Sequence, residues 1–172
     1  MKDFFHLAGL QHLVDIALPR NRSKTIQNVL ERKITDELLE KSKFHLSKTN
    51  DEKCIKDRIE ELQYLEEYLD VNNTIKIFSL KDTPFLYSEI DAEYVIESSI
   101  KRRNRTVYIF LKERKEEQGT YCVVSFFVKN RRIYGGEKLY WMLKRKYVGD
   151  EMNVLYQHPN YIEVYEDGKE QS

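Results

Sequence analysis

The chain has 172 residues, with 29 Lys and Arg balanced by 29 Asp and Glu and a 41% hydrophobic fraction, enough for one core-bearing domain or a domain with a helical annex. Twelve Tyr and eight Phe against six Gly and three Pro argue against disorder. No run of about 18 apolar residues is present, so no membrane span is expected, and the acid and His within the first apolar stretch do not read as a secretory leader.

In chain order, Phe4–Leu18 is apolar nearly all round and predicts a helix ended by Pro19. Ser23 is placed to cap a helix running to about Arg32, and Thr35 with Asp36 to open a short one through Glu40. Lys41–Asn50 reads as a loop. Glu52–Asp70 is the clearest helix, with Ile55, Ile59, Leu62, Leu65 and Leu69 on one face. From Thr74 the period changes to two. Strands are expected over Thr74–Leu80, Thr106–Lys112, Thr120–Val128 and Lys138–Val148, with short ones near Val154 and Ile162. Thr83-Pro84 and Gly135-Gly136 read as turns, Glu113–Gly119 as a hairpin link, and Tyr87–Ile100 is ambiguous. Helices first and strands second predict an α+β fold, with N-terminal helices packed against a C-terminal twisted antiparallel sheet. The helical half is 1–72 and the sheet half 73–165 of one domain over 1–165; 166–172 is expected to be a flexible acidic tail.

The neutral total hides a sorted charge distribution. Ser99–Val148 holds 14 Lys and Arg against 4 acids, whereas Gly149–Ser172 holds one Lys and six acids. The basic block also carries nine aromatic residues, Trp141 among them. Cations hold phosphates and flat rings stack on bases, so this block is a candidate nucleic-acid face. The competing reading is a solvated sheet whose Lys and Arg protect its edges. Arg102, Arg103 and Arg105, clustered before a strand, together with Arg131 and Lys144, are the candidate backbone-binding cations; exposed loop charge is the alternative for the cluster.

Four residues are candidates for chemistry. His6 falls on the helical stripe of Leu10, Leu13 and Ala17, which suits either a core histidine or, facing a cleft, a general base. Arg58 falls inside the buried arc of its helix, where it needs an acidic partner, a route to the surface, or a phosphate. Ser125 interrupts an apolar strand and is expected to share a face with Tyr121, Val123 and Phe127. Lys146 lies in the basic strand Lys144–Lys146. Ser, His and Arg together suit phosphodiester chemistry in which a base removes the 2′-OH proton and cations stabilise the charge at phosphorus. No GxSxG, Walker loop or GxGxxG is present, and the four His and two Cys show no metal-ligand spacing; no cofactor and no metal are expected. Cys54 and Cys122 are expected to be free thiols in a reducing cytoplasm.

Phe5-His6-Leu7-Ala8-Gly9-Leu10, Ser42-Lys43-Phe44, Lys56-Asp57-Arg58-Ile59, Ser88-Glu89-Ile90-Asp91-Ala92, Ser125-Phe126-Phe127 and the basic strand ending at Lys146 resemble, in this order, the phage-associated nuclease-like domains of the barnase–EndoU–colicin–RelE (BECR) superfamily. The resemblance implies a metal-independent endoribonuclease of phages or mobile elements, toxin-like, acting in the cytoplasm of a bacterial host in a cleft between helices and sheet. By motif, His6 is its acid or base, Ser125 binds or orients the scissile phosphate, and Arg58 and Lys146 stabilise its charge. The expected partner is RNA, with tRNA one candidate. A non-catalytic RNA-binding module, or an accessory protein that binds a host or antitoxin-like partner, is the alternative.

Overall fold

The computed structural model describes residues 4–19, 21–46, 54–82, 90–102, 105–129 and 134–162. They fall into two compact units, residues 1–139 and 140–172.

The first unit begins with a single helical turn, α1 (Phe4–Leu7), and not with the long helix expected over Phe4–Leu18. Gly9 takes a left-handed φ of 76°, and a short 3₁₀ turn, Leu10–His12, follows. Glycine adopts that φ without a Cβ clash and so turns the chain out of the helix. The break carries Leu10 and Leu13 into a core with Phe5, Ala8, Ile34, Leu39 and Ile55. The stripe expected to unite His6 with Leu10, Leu13 and Ala17 therefore does not form.

Helix α2 (Arg22–Leu30) is capped by Asn21, not Ser23: the Asn21 side chain accepts from the Lys24 N–H at 3.1 Å. Asn21 holds the extended backbone of an N-cap, which aims its oxygen at the third helical amide. Thr35 caps α3 (Asp36–Leu39) as expected, accepting from Leu38 N–H at 3.4 Å. The helix expected over 52–70 divides into α4 (Ile55–Leu62) and α5 (Leu65–Asp70). At the break, Gln63 Nε2 donates to the Glu60 carbonyl at 2.8 Å, and the Tyr64 N–H closes a tighter bond to Glu61. Both divert carbonyls from the helical ladder.

Five antiparallel strands follow, β1 (Thr74–Ile77), β2 (Tyr94–Arg102), β3 (Arg105–Arg114), β4 (Glu117–Lys129) and β5 (Lys138–Leu139), in the order β4-β3-β2-β1-β5. The ambiguous segment thus supplies β2, and a 3₁₀ turn at Leu80–Asp82 ends what was expected as the first strand. The β3–β4 strands extend into the predicted link and leave only Lys115-Glu116 between them. Register puts Val95, Tyr108, Phe110 and Phe127 on one face and Ile96, Ile109 and Phe126 on the other. All of these except the half-buried Phe127 are buried, so the central strands are covered on both faces. Helices α1 and α4 pack on β4, and α5 packs on β2. The fold class is α+β with an antiparallel sheet after the helices, as the sequence predicts.

An ion pair joins β1 to β2. Lys76 Nζ sits 3.0 Å from both Glu97 Oε2 and the Tyr134 carbonyl, mostly out of water. Buried Asn73 donates to the Tyr68 carbonyl and accepts from the Ser99 N–H at 3.1 Å, which fixes the end of α5 to β2.

The second unit holds a two-stranded antiparallel hairpin, β6 (Leu143–Val148) and β7 (Glu151–Gln157). The strand expected over Lys138–Val148 is therefore two strands in two sheets, and Ile162 lies in no strand. No described helix is long and apolar enough to cross a membrane. The expected turn at Thr83-Pro84 and the acidic tail lie outside the described residues.

Candidate phosphodiester site at the α1, α4 and β4 junction

Arg58 is the centre of the site. It is 3% exposed, and its Cζ lies 4.2 Å from the centroid of the Phe127 ring. Its other wall is Gly9: a Cβ there would stand 3.2 Å from Arg58 Cδ and Nη1. The missing side chain at Gly9 is what admits the guanidinium between the loop after α1 and β4. Burial lowers the Arg58 pKa to about 10, so the group stays cationic at neutral pH. A cation over an aromatic face recovers part of that burial cost.

Ser125 pairs with Phe110 and Phe127 with Tyr108, so Ser125 and Phe127 share a face of β4. Tyr121 pairs with Glu113 and Val123 with Leu111. The register shifts between Phe110 and Leu111, leaving Val124 as an extra residue. This bulge turns Tyr121 and Val123 to the face opposite Ser125, against the alternation expected from sequence. Ser125 is half-buried. His6 is also half-buried, one turn before Gly9, its ring edge-on to Phe5 at 5.5 Å. The elements that bear His6, Arg58 and Ser125 thus meet at one junction.

The basic cluster is used differently. Arg102 donates twice to the Glu67 carboxylate, at 2.9 and 2.7 Å, and lies over the Tyr64 ring. Arg105 pairs with Asp57. These bonds tie β2 to α5 and β3 to α4, and a phosphate would compete with a carboxylate at each. Arg103 and Arg131 lie outside the described residues. Lys144 and Lys146 belong to the second unit; Lys144 Nζ lies 5.1 Å from the Trp141 ring, and Lys146 pairs with Asn153 across the hairpin. Sequence reasoning missed Gly9 as a wall and Phe127 as the stacking face; the one available signal was a glycine inside an otherwise helical apolar run.

Among the described residues no three His, Cys, Asp or Glu side chains gather to hold a metal ion. Both cysteines are free, and burial raises the Cys54 thiol pKa.

The Arg58→Met variant is expected to keep its thermal midpoint or gain slightly. Lowering the arginine pKa to about 10 corresponds to about 3 kcal/mol of penalty on the buried charge, and losing the ring contact gives back about 2 kcal/mol. The depressed folded value sets the sign: the penalty is full below pH about 10 and eases as pH rises above it. Thermal melts of both proteins at neutral pH check this, and a large drop on substitution would show that the charge itself stabilises the fold.

The first helical turn, α4 and the outer strand β4, which bear His6, Arg58 and Ser125, thus meet within one α+β domain. The chain belongs to the phage-Barnase-EndoU-ColicinE5/D-RelE like nuclease4 family, whose family model matches residues 1–158. Comparison with curated proteins and with solved structures gave no match.

Proposed function

We propose that this nuclease-like domain is an endoribonuclease that cleaves RNA without a metal ion, by attack of a 2′-OH on the adjacent phosphorus. His6 takes the 2′-OH proton, the 2′-oxygen bonds phosphorus, and the 5′-oxygen leaves with a proton from solvent, giving a 2′,3′-cyclic phosphate. Ser125 donates a hydrogen bond to a phosphate oxygen, and the Arg58 charge stabilises the negative charge that develops. The family resemblance also assigns Lys146 a charge-stabilising role, and Lys144 holds backbone phosphate. Structured RNA such as tRNA, in the cytoplasm of a bacterial host, is the substrate class that a phage-type nuclease domain would meet. The observation that carries this reading is the position of Arg58, wedged between the Gly9 turn and the Phe127 ring, which joins the His6, Arg58 and Ser125 motifs at one place.

One observation favours a second reading. Arg58 is almost fully covered, as a structural cation would be. In that case the domain binds RNA or a host protein without cutting. Purified protein incubated with total bacterial RNA in EDTA separates the two. Cleavage that leaves cyclic-phosphate ends, and that slows at least about a hundredfold in folded Arg58→Met, supports the enzyme. Intact RNA that shifts on a gel, with affinity falling steeply as salt rises, supports the binding module.

A further inference from the structure

The geometry points to the groove between α1, α4, α5 and β4 as a subsite for an unstacked nucleobase of the RNA chain, across the outer strand from the reacting nucleotide. This inference rests on the ribonuclease reading and adds to it a place where sequence preference is read.

The groove has a volume of about 540 Å³. Leu7, Leu62, Leu65 and Val123 form its apolar wall, with Tyr121 and Arg114 as its polar members. Tyr121 is 38% exposed, and its ring is held edge-on to Tyr94 at 5.2 Å, so a flat face is presented at fixed orientation. Arg114 is the sole charged residue among the described residues that line the groove, which gives it the sign that suits an anionic ligand. Its planar guanidinium both stacks and donates to phosphate. The two other large grooves have the opposite character: one holds Asp36 and Glu37 with Arg32, the other Asp36, Glu40 and Glu60 with Lys56. Acid exceeds base in each, so an RNA chain is repelled from them.

Two further features tie the groove to the candidate site around the outer strand, from one face of β4 to the other. Strand β4 carries Tyr121 and Val123 into the groove and Ser125 to the site, roughly 13 Å apart at the usual strand rise. Helix α1 supplies Leu7 to the groove and His6 to the site. The bulge at Val124 lets one strand serve both, because it turns Tyr121 and Val123 away from the Ser125 face. Among the described residues β4 is also the outer strand of the sheet. Its outward amides and carbonyls are unused by sheet pairing and match the edge of a base. A ring for stacking and a cation around an apolar slot are what a single-stranded base requires.

The test is an NMR titration of the full chain with each of the four nucleoside 3′-monophosphates, with inorganic phosphate as control. At least one nucleotide is expected to shift the Leu62, Leu65 and Val123 methyls and the Tyr121 ring, while phosphate leaves them unmoved. Tyr121→Leu should weaken that nucleotide about tenfold, and Arg114→Gln should weaken all four alike. If none of the nucleotides moves these signals at millimolar concentration, or phosphate moves them equally, the base subsite is wrong. The readout does not depend on catalysis. A silent groove in a protein that cuts RNA defeats this inference and leaves the ribonuclease reading standing; a nucleotide-filled groove in a protein that never cuts RNA does the reverse.

Discussion

His6→Ala is expected to fold like the parent and to cut RNA at least about a hundredfold more slowly, since a positioned general base contributes on the order of a hundred- to ten-thousandfold. The fold should tolerate the change because His6 sits half-exposed on a single turn of helix. Its edge-on contact with Phe5 is worth only about 1 kcal/mol. The core beneath is built from its neighbours Phe5, Ala8 and Leu10, not from His6. Ser125→Ala should cost less, about tenfold, because a hydroxyl that orients a phosphate through one neutral hydrogen bond supplies about 1 kcal/mol. The pH profile discriminates further. An imidazole base gives activity that falls as acid protonates it, and the residual activity of His6→Ala should lose that acidic limb. Single-turnover cleavage of one defined RNA across pH measures both. A folded His6→Ala protein with unchanged rate would remove His6 from the mechanism and leave the family fold with a different base.

How much of this could be read from the sequence depends on whether the signal is local. The Thr35 cap of α3 is local chemistry, one side chain bonding an amide three residues on, and it was legible. So were β3 and β4, where β-branched and aromatic residues dominate both strands. Arg58 was placed correctly in the buried arc because helical periodicity alone puts it there. The misses are of another kind. Gly9 ends the first helix because its carbon-free face is needed by Arg58 and Ile55, residues far along the chain. Gln63 breaks the long helix with its own side chain, which apolar periodicity does not register. The bulge at Val124 inverts the faces of β4 on either side of it, so strict alternation puts Ser125 beside the wrong neighbours. Arg102 and Arg105 look like a free basic cluster until the fold brings Glu67 and Asp57 against them. The site's chemistry is written in residue types; its shape is set by contacts between distant segments.

Gly9→Ala should be among the most damaging single-methyl changes in this chain, for two reasons that a control separates. At φ 76° an added Cβ meets its own carbonyl, a strain of about 1–2 kcal/mol. The same Cβ would stand 2.8 Å from Ile55 Cδ1 and 3.2 Å from two Arg58 atoms. Ile55 is fully buried and Arg58 nearly so, and neither has open space to retreat into. Overpacking of this kind adds about 1–3 kcal/mol, so the whole change should lower the thermal midpoint by roughly 5–15 °C for a chain of this size. Gly119 supplies the control: its φ is 79°, yet nothing lies within 4 Å of its Cβ position. Gly119→Ala therefore carries the backbone strain alone, and the difference between the two midpoints isolates the packing against Arg58. Both Ile55 and Arg58 are crowded, and any displacement of Arg58 disturbs its contact with the Phe127 ring. Gly9→Ala is accordingly expected to lose cleavage even at a temperature where it is fully folded, whereas Gly119→Ala should keep it. Equal destabilisation and equal activity in the two variants would mean that Gly9 serves only the turn, and that the Arg58 position is not what the nuclease site depends on.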